Sequence, residues 1–306
     1  MTLTYTADAA DAGRALRSIL RGSLHLSTAQ LRRLKAADAF RVNGGSVHTD
    51  YRMQPGDVLK LTLTEPEPDF PAEDGALDIL YEDDCVLAVS KPRGLIVHPT
   101  HSRLTGTLAN RAWAHIRASG GDGCHIVNRL DRDTGGVVLF AKNSHVCALL
   151  ADAVEEKRYL AAVCGVPEAR TGSITFPIRR LCEGEMKRVC APDGSEARTD
   201  YTLLESRDGL SLLALRLYTG RTHQIRVHCA EMGWPLLGDR LYGTAASIAR
   251  SEALGETMQD LWCVRMVFRH PLTGEKITLD APPEGVPALF AETGSSDPAF
   301  SWEAFS

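Results

Sequence analysis

A short acidic segment rich in proline constrains this chain more than any other feature of its sequence. From Glu65 to Pro71 the residues are EPEPDFP, and Phe70 is the one large apolar side chain among them. Proline fixes its own φ and has no backbone N–H, so such a segment continues neither a helix nor a sheet and is typical of a linker. The 306 residues suit two domains. We therefore predict a domain over 1–64, a linker over 65–76, a second domain over 77–290 and a polar tail over 291–306.

Charge is distributed unevenly on the two sides of this linker. The whole chain has a net charge of −5, which by itself argues against a nucleic-acid partner. Residues 12–63, however, hold nine cations against three anions, and residues 64–90 hold nine anions and no cation. Basic N-terminal units often bind nucleic acid, so the distribution of charge points the opposite way from its sum.

The basic unit has the pattern of two helices followed by two short strands. Apolar residues recur at helical spacing over 12–22, and a second helix is predicted after Ser27, which can form a capping box with Gln30. That second helix would turn three cations towards solvent: Arg32, Arg33 and Lys35. The strands are predicted over 40–42 and 58–63. On pattern alone, an RNA-binding surface and an ordinary solvated basic face are equally good interpretations.

Cysteine usage and the absence of long apolar runs limit where in the cell the protein is expected. The eight cysteines are scattered without a Cys-x-x-Cys pair, and the first residues lack the apolar core of a secretory leader. We therefore expect reduced thiols rather than disulfides. The longest apolar runs are far too short to span a bilayer. The sequence predicts a cytoplasmic protein with no membrane association, and we expect a monomer.

One stretch combines carboxylates, a glycine pair and a strand: NRLDRDTGGVVLFAK, residues 128–142. The apolar run over 137–141 predicts a strand, which places Asp131 in the loop at its entrance, where a rigid sheet can aim a charged side chain. The residues alone equally allow Asp131 and Asp133 to stabilise a turn. A glycosidase-like carboxylate pair is less favoured, because residues so close along the chain say nothing about a substrate gap.

A second stretch, YTGRTHQIRVHCAEMG at residues 218–233, predicts a helix after a strand, with Thr222 as its N-cap. Arg226 would lie one turn further on, where it could form either a surface ion pair or a buried, orienting pair with a carboxylate. His223 and His228 are five residues apart rather than the four of a helical metal pair, so no metal is predicted.

A third stretch, KRYLAAV at 157–163, predicts a strand that Tyr159 opens, where an aromatic side chain is more often core than catalytic. These three stretches together resemble the RluA family of RNA pseudouridine synthases.

The resemblance runs in order from Leu77 to Pro283 and includes YEDD, SKPRGLIVHP, PLLGDRLYG and HPLTGE. Residues 12–63 resemble the S-four-type RNA-binding domain. The implied fold is α+β: a small helix-rich RNA-binding domain, then a larger catalytic domain on a mostly antiparallel mixed sheet.

The resemblance implies a role for each matching residue. Asp131 matches the essential catalytic carboxylate, Tyr159 the aromatic residue that stacks on the target base, and Arg226 the cation that pairs with Asp131. Arg129 would hold the flipped nucleotide or fill the space that it leaves. The N-terminal cations that would grip RNA are Arg32, Arg33 and Lys35.

Two positions depart from the family's usual motif: Asn128 stands where histidine is usual, and Gly135 stands where serine is usual. Neither is the catalytic position, so the implied activity stands while the subgroup and the RNA target are open.

The implied reaction breaks the N-glycosidic bond of a uridine in structured RNA and rejoins C5 of the uracil to C1′ of the ribose, without a metal or other cofactor. Asp131 would act either as a nucleophile at C1′ or as a base at the 2′ position. Large-subunit ribosomal RNA is the favoured target. The alternatives are transfer RNA, or an RNA-binding or ribosome-assembly factor on the same fold whose catalysis is lost or secondary.

Overall fold

The computed structural model describes residues 1–100, 103–283 and 290, and it has the mixed α+β fold that the sequence predicts. The predicted tail over 291–306 lies outside the described residues.

The N-terminal unit is a four-stranded antiparallel sheet covered by two helices, with strand order β1-β4-β2-β3. Its elements are β1 (Thr2–Thr6), a 3-10 turn (Ala9–Asp11), α1 (Leu16–Gly22), α2 (Thr28–Ala36), β2 (Arg41–Val42), β3 (Gly45–Ser46) and β4 (Val58–Thr62). Its core contains Leu16, Ile19, Leu34 and Leu59, which alternate with solvent-facing polar residues.

The predicted cap of α2 is confirmed. The Ser27 hydroxyl accepts from Gln30 N at 3.2 Å, and Gln30 Oε1 accepts from Ser27 N at 2.8 Å. This capping box satisfies two of the N–H groups that the first turn of a helix leaves without partners.

The larger unit is built on a ten-stranded sheet, whose main path runs β10-β13-β14-β9-β15-β8-β6-β5, with β16 beside β15 and β7 beside β8. The pairs are antiparallel except that β15 and β8 run parallel. Its elements are β5 (Asp78–Glu82), β6 (Val86–Lys91), α3 (Leu108–Ala118), β7 (His125–Ile126), β8 (Gly135–Ala141), α4 (Ser144–Ala153), β9 (Val154–Cys164), β10 (Thr171–Ile174), β11 (Ile178–Arg180), β12 (Arg188–Cys190), β13 (Thr199–Arg207), β14 (Leu210–Leu217), α5 (Gln224–Glu231), α6 (Ala245–Ala253), β15 (Leu261–Arg269) and β16 (Lys276–Asp280). A separate hairpin pairs β11 with β12.

Strand β8 lies inside this sheet, and every one of its residues is buried. A run of seven small and apolar residues is typical of a strand covered on both faces, because neither set of alternating side chains then faces solvent. The strand is therefore a rigid base for the loop that precedes it.

The two units meet at Ser144, the first residue of α4. Its hydroxyl accepts from Gln30 Nε2 at 3.1 Å and from Arg33 Nη2 at 3.4 Å, and donates to Glu65 Oε1 at 2.9 Å. The other Glu65 oxygen lies 3.0 Å from His125 Nε2. The first residue of the acidic segment is thus buried in a polar network rather than solvated.

None of the helices within the described ranges is both long and apolar enough to cross a bilayer.

Candidate active site

The loop that carries Asp131 is fixed by hydrogen bonds within its own backbone and from the side chains of Gln259 and Lys91. Thr134 N donates to Asp131 O at 3.1 Å, and Gln259 Nε2 donates to the Thr134 hydroxyl at 3.0 Å. Lys91 is buried at the end of β6, and its ammonium donates to three carbonyl oxygens, including that of Arg132 at 2.8 Å. The sequence analysis quoted the SKPRGLIVHP motif but did not select Lys91. The neighbouring residues do not show which carbonyl oxygens its side chain reaches.

The two departures from the family motif have structural explanations. Asn128 Nδ2 donates to Val137 O at 3.1 Å and its Oδ1 accepts from Leu139 N at 2.7 Å, so Asn128 ties the loop to β8. A Cβ at Gly135 would lie 2.7 Å from Trp262 Cδ1, closer than carbon atoms approach, so the Trp262 ring occupies the space that a side chain would need.

Arg226 forms the buried, orienting type of ion pair. Its Nη1 donates to Asp131 Oδ2 at 2.9 Å, across a separation of 95 residues in the chain. The side chain is 9% exposed and lies on α5, which packs beside the Asp131 loop. The arrangement therefore brings together two of the residues that the resemblance selects.

A second carboxylate, Asp239, completes the arrangement from the other side. Arg226 Nε and Nη2 donate to its two oxygens at 2.7 and 2.9 Å, a bidentate pair, and Asp239 Oδ1 also accepts from Leu241 N and Tyr242 N. Burial lowers the pKa of Arg226, but its hydrogen bonds and charge contacts with Asp239 and Asp131 outweigh burial and raise that pKa above the ordinary arginine value. Sequence reasoning quoted the PLLGDRLYG motif but did not single out Asp239.

Tyr159 lies in the middle of β9, so the prediction that it opens a strand is wrong. The strand begins at Val154 and is central: Tyr159 pairs with Leu215 of β14 on one side and Cys263 of β15 on the other. Its side chain is 7% exposed, and burial raises the pKa of its phenol well above the usual value. The remaining exposed edge lines the same cleft as Asp131.

The N-terminus of α5 also differs from the prediction. The helix begins at Gln224, and its N-cap is His223 with φ 58°, not Thr222. The turn is set by Gln224, whose Oε1 accepts from Arg221 N at 3.0 Å and from the Thr219 hydroxyl at 2.8 Å. A long polar side chain inside the helix therefore replaces the short capping side chain that local rules expect.

His223 and Tyr242 contact each other beside the Asp131–Arg226 pair. His223 Nε2 is 3.7 Å from Asp131 Oδ2, and Nδ1 is 2.9 Å from the Tyr242 hydroxyl. The Tyr242 ring lies 5.0 Å from the Arg226 guanidinium, a cation–π contact. Burial lowers the pKa of His223, and the nearby Asp131 carboxylate opposes that effect without cancelling it.

Asp131, Tyr159, His223 and Arg226 line a small open cleft of about 70 Å³. The cations at its rim include Arg129, which is exposed, and Arg221, which sequence reasoning did not select. The cleft therefore brings the Asp131 carboxylate together with the positive charges of Arg129 and Arg221.

A larger groove, of about 930 Å³, lies in the N-terminal unit between α1 and α2. Its cations are Arg17, Arg21, Arg32 and Lys35. Arg33 does not lie on this face: it is half-buried and points to Ser144, so the prediction that it faces solvent is wrong. Successive helical residues are about 100° apart, which turns Arg33 away from both of its basic neighbours.

Within the described residues, one group of side chains has the spacing of metal ligands: Asp83, Cys85 and His270. His270 Nδ1 accepts from Thr273 N at 3.1 Å, so Nε2 carries the proton and faces Asp83 Oδ2 at 2.9 Å. Asp83 Oδ1 accepts from Cys85 N and Val86 N, both at 2.7 Å. Both Asp83 oxygens and His270 Nδ1 already accept hydrogen bonds, and a metal at Nε2 would require an imidazolate, so these residues do not fit a metal site.

Comparison with known proteins gives consistent results. The family model described as RNA pseudouridylate synthase matches residues 85–231. An uncharacterized RNA pseudouridine synthase of Bacillus subtilis, YlyB, is 40% identical over 81% of this chain and 83% of its own. A ribosomal large subunit pseudouridine synthase D of Xanthomonas campestris is 33% identical over 84% of this chain and 82% of its own. The structure is similar to that of human RNA pseudouridylate synthase domain containing 1, with a TM-score of 0.57 and 25% identity over 72% of this chain and 89% of that one.

Proposed function

The chain belongs to the RNA pseudouridine synthase family, and from that premise we propose that it isomerises specific uridines of large-subunit ribosomal RNA with Asp131 as the catalytic carboxylate. The observation that carries the proposal is the Asp131–Arg226–Asp239 arrangement, in which Arg226 and Asp239 are buried and Asp131 and Arg226 line a cleft together with Tyr159.

The reaction is an isomerisation that keeps every atom of the nucleotide. The bond between N1 and C1′ breaks, the uracil rotates, and a bond forms between C5 and C1′. C5 then loses a proton, and N1 gains one. Because the uracil is hidden in RNA structure, the nucleotide must first be extruded into the cleft.

The geometry gives the two oxygens of Asp131 different environments. Oδ2 accepts from Arg226 Nη1 and faces His223, while Oδ1 has no hydrogen-bond partner among the described residues. Both candidate mechanisms require a carboxylate here, and the Arg226 guanidinium pairs with it through Oδ2. Oδ1 is therefore the oxygen we assign to the ribose, either as nucleophile at C1′ or as base at the 2′ position.

Tyr159 suits the role of a platform for the extruded base. Its backbone is held on both sides within the sheet, and its ring is buried except at the cleft. A ring fixed in this way can stack on uracil without losing further freedom when the base arrives. Arg129 at the rim would hold the flipped nucleotide or fill the space that it leaves.

The choice of ribosomal RNA rests on two supports. The N-terminal groove presents Arg17, Arg21, Arg32 and Lys35 to a polyanion. The Xanthomonas relative carries the name of a large-subunit ribosomal enzyme.

Carbodiimide mapping of pseudouridine in ribosomal and transfer RNA, from cells with and without this protein, tests the proposal. We expect at least one large-subunit position that is modified only when the protein is present. The Asp131→Asn variant should abolish that signal, while Asp133→Asn should retain it, because Asp133 pairs with the exposed Arg132.

A protein-dependent position in transfer RNA would overturn the assignment of the substrate. Full modification by Asp131→Asn would overturn the assignment of the catalytic residue. If no position depends on the protein, the role as an RNA-binding or assembly factor replaces catalysis.

A further inference from the structure

His223 has a backbone conformation that its own residue type does not favour. It is the N-cap of α5 with φ 58°, in the left-handed region, and its side chain makes no capping hydrogen bond. Such a conformation costs about 1 kcal/mol or more for a residue other than glycine. The imidazole is thereby turned into the cleft rather than towards the helix terminus.

The hydrogen bonds of Tyr242 assign the tautomer of His223. The Tyr242 hydroxyl accepts from Arg188 N at 2.8 Å and lies 2.9 Å from His223 Nδ1. Arg188 N can only donate, and the described residues offer the hydroxyl no acceptor other than Nδ1, so we assign the hydroxyl proton to Nδ1. His223 Nδ1 is then the acceptor, and Nε2 carries the hydrogen.

This Nε2–H group is an unused donor beside the reacting carboxylate. Its nearest anionic atom is Asp131 Oδ2 at 3.7 Å, which is beyond hydrogen-bond distance. Nε2 makes no hydrogen bond within the described part of the chain, and Asp131 Oδ2 already accepts from Arg226. A polar group that enters the cleft beside Asp131 would therefore meet this donor.

We propose that His223 Nε2–H donates to the 2′-oxygen of the target uridine and so selects ribose at the reacting nucleotide. The inference rests on the proposed function, because it needs Asp131 to act at C1′ or at the 2′ position. In either mechanism the 2′-oxygen is bonded to the carbon next to C1′, within reach of a donor that lies 3.7 Å from the carboxylate. The 2′-hydroxyl is also the group that distinguishes RNA from DNA.

The surroundings keep the donor uncharged near neutral pH. Burial lowers the pKa of His223, and the positive charges of Arg226 and Arg188 act in the same direction. The carboxylates of Asp131 and Asp239 oppose them. A neutral imidazole can serve one acceptor at Nε2 while Tyr242 holds the other nitrogen.

A cycle of protein and RNA substitutions tests the proposal. The probes are two RNA stem-loops that carry the mapped uridine, one with ribose and one with 2′-deoxyribose at that position. Binding is measured in the Asp131→Asn background, which stops turnover, with and without His223→Phe. We expect His223→Phe to weaken binding of the ribose probe about fivefold and to change binding of the deoxyribose probe by less than about twofold.

Two further variants separate this contact from damage to the helix. Tyr242→Phe removes the hydroxyl that fixes the tautomer of His223. It should weaken binding of the ribose probe selectively, by a smaller factor than His223→Phe does. His228→Asn alters the other imidazole of α5, which contacts Thr199 and Phe176 O, and should affect both probes equally. Thermal unfolding of each variant reports its folded fraction.

An equal loss on both probes, or no loss on either, would overturn the role of His223. Failure of the proposed function is a different result: no uridine would map to this protein, or Asp131→Asn would remain active. The two failures are therefore distinguishable.

Discussion

At the scale of single residues, the site depends on the plane of one guanidinium. Two hydrogen bonds to Asp239 fix the plane of the Arg226 guanidinium. Its remaining nitrogen, Nη1, therefore points to Asp131 and donates to it. Lysine at this position would supply charge without a fixed plane. Under the proposed function, Asp239 is thus a positioning residue that acts through Arg226.

The Asp239→Asn variant should lower kcat about a hundredfold and change KM much less, because an asparagine amide cannot accept both Arg226 hydrogen bonds and the guanidinium turns. Single-turnover kinetics on the mapped uridine measures this effect. Because breaking a buried pair also destabilises the fold, the assay is performed well below the midpoint of unfolding. A KM effect without a kcat effect would contradict the positioning role.

Gly135 shows how one residue's identity depends on a distant one. The ring of Trp262 fills the place of its side chain, and the Arg93 guanidinium in turn lies 4.9 Å over that ring. The departure from serine is thus linked to a bulky aromatic residue on β15.

We expect Gly135→Ser to lower the free energy of unfolding by about 1 to 3 kcal/mol through overpacking. Trp262→Leu should cost stability alone but relieve the clash, so the double variant should be more stable than the sum of the single effects predicts. Urea unfolding of the four proteins gives the coupling. Strict additivity would mean that the two side chains do not compete for the same space.

At the scale of elements, the segment that enters β15 carries a buried acid beside the loop that holds Asp131. Asp260 lies just before β15 and pairs with Arg93, while its Oδ2 has no hydrogen-bond partner among the described residues. Burial raises the pKa of Asp260 to about 7, the neighbouring Glu256 adds to this, and Arg93 opposes it without cancelling it. Gln259, the preceding residue, donates to Thr134 of the Asp131 loop.

This acid should make stability depend on pH. The unfolded carboxyl loses its proton above its ordinary pKa of 3.8, whereas the folded one keeps it to about pH 7. Unfolding therefore releases a proton between these values, and the free energy of unfolding falls with rising pH by up to about 1.4 kcal/mol per pH unit.

The Asp260→Asn variant removes this contribution. We expect its stability relative to the wild type to rise from about pH 4 to about pH 7 and to level off above that, as measured by urea unfolding across the range. A difference that stays constant with pH would show that Asp260 is ionised throughout.

At the scale of the whole molecule, charge is sorted by surface rather than by segment alone. Four cations line the N-terminal groove, but Arg33 of the same helix is turned to the junction with Ser144. The acidic segment contributes Glu65 to that junction, where it contacts Ser144 and His125. Arg33 of the basic segment and Glu65 of the acidic segment therefore both hydrogen-bond to Ser144 between the units, while four cations line the groove.

Replacing Arg32 and Lys35 together by glutamine should weaken RNA binding and reduce the slope of log K against log salt concentration by about 1 to 2, because each phosphate contact releases counterions. Arg33→Gln is the matched control from the same helix and should leave the slope unchanged. Filter binding of ribosomal RNA at several salt concentrations measures both. Equal slopes for all three proteins would contradict RNA binding in the groove.

The parts of the structure that follow from neighbouring residues were predictable from sequence. The capping box of Ser27 and Gln30 and the buried strand β8 depend on local spacing and hydrophobic pattern, whereas the mixed α+β class was implied by the family resemblance. The pairing of Arg226 with Asp131 was available only through the family resemblance, since 95 residues separate them.

Contacts between distant segments decided the rest. Asp239 beside Arg226, Trp262 over Gly135, Arg33 at Ser144 and the left-handed His223 each depend on how separate elements pack, which no local pattern records. Sequence by itself determined which residues are able to do chemistry and which segments form helices and strands. The tertiary structure alone decided which of those residues meet, because burial and hydrogen-bond geometry are properties of the packed chain.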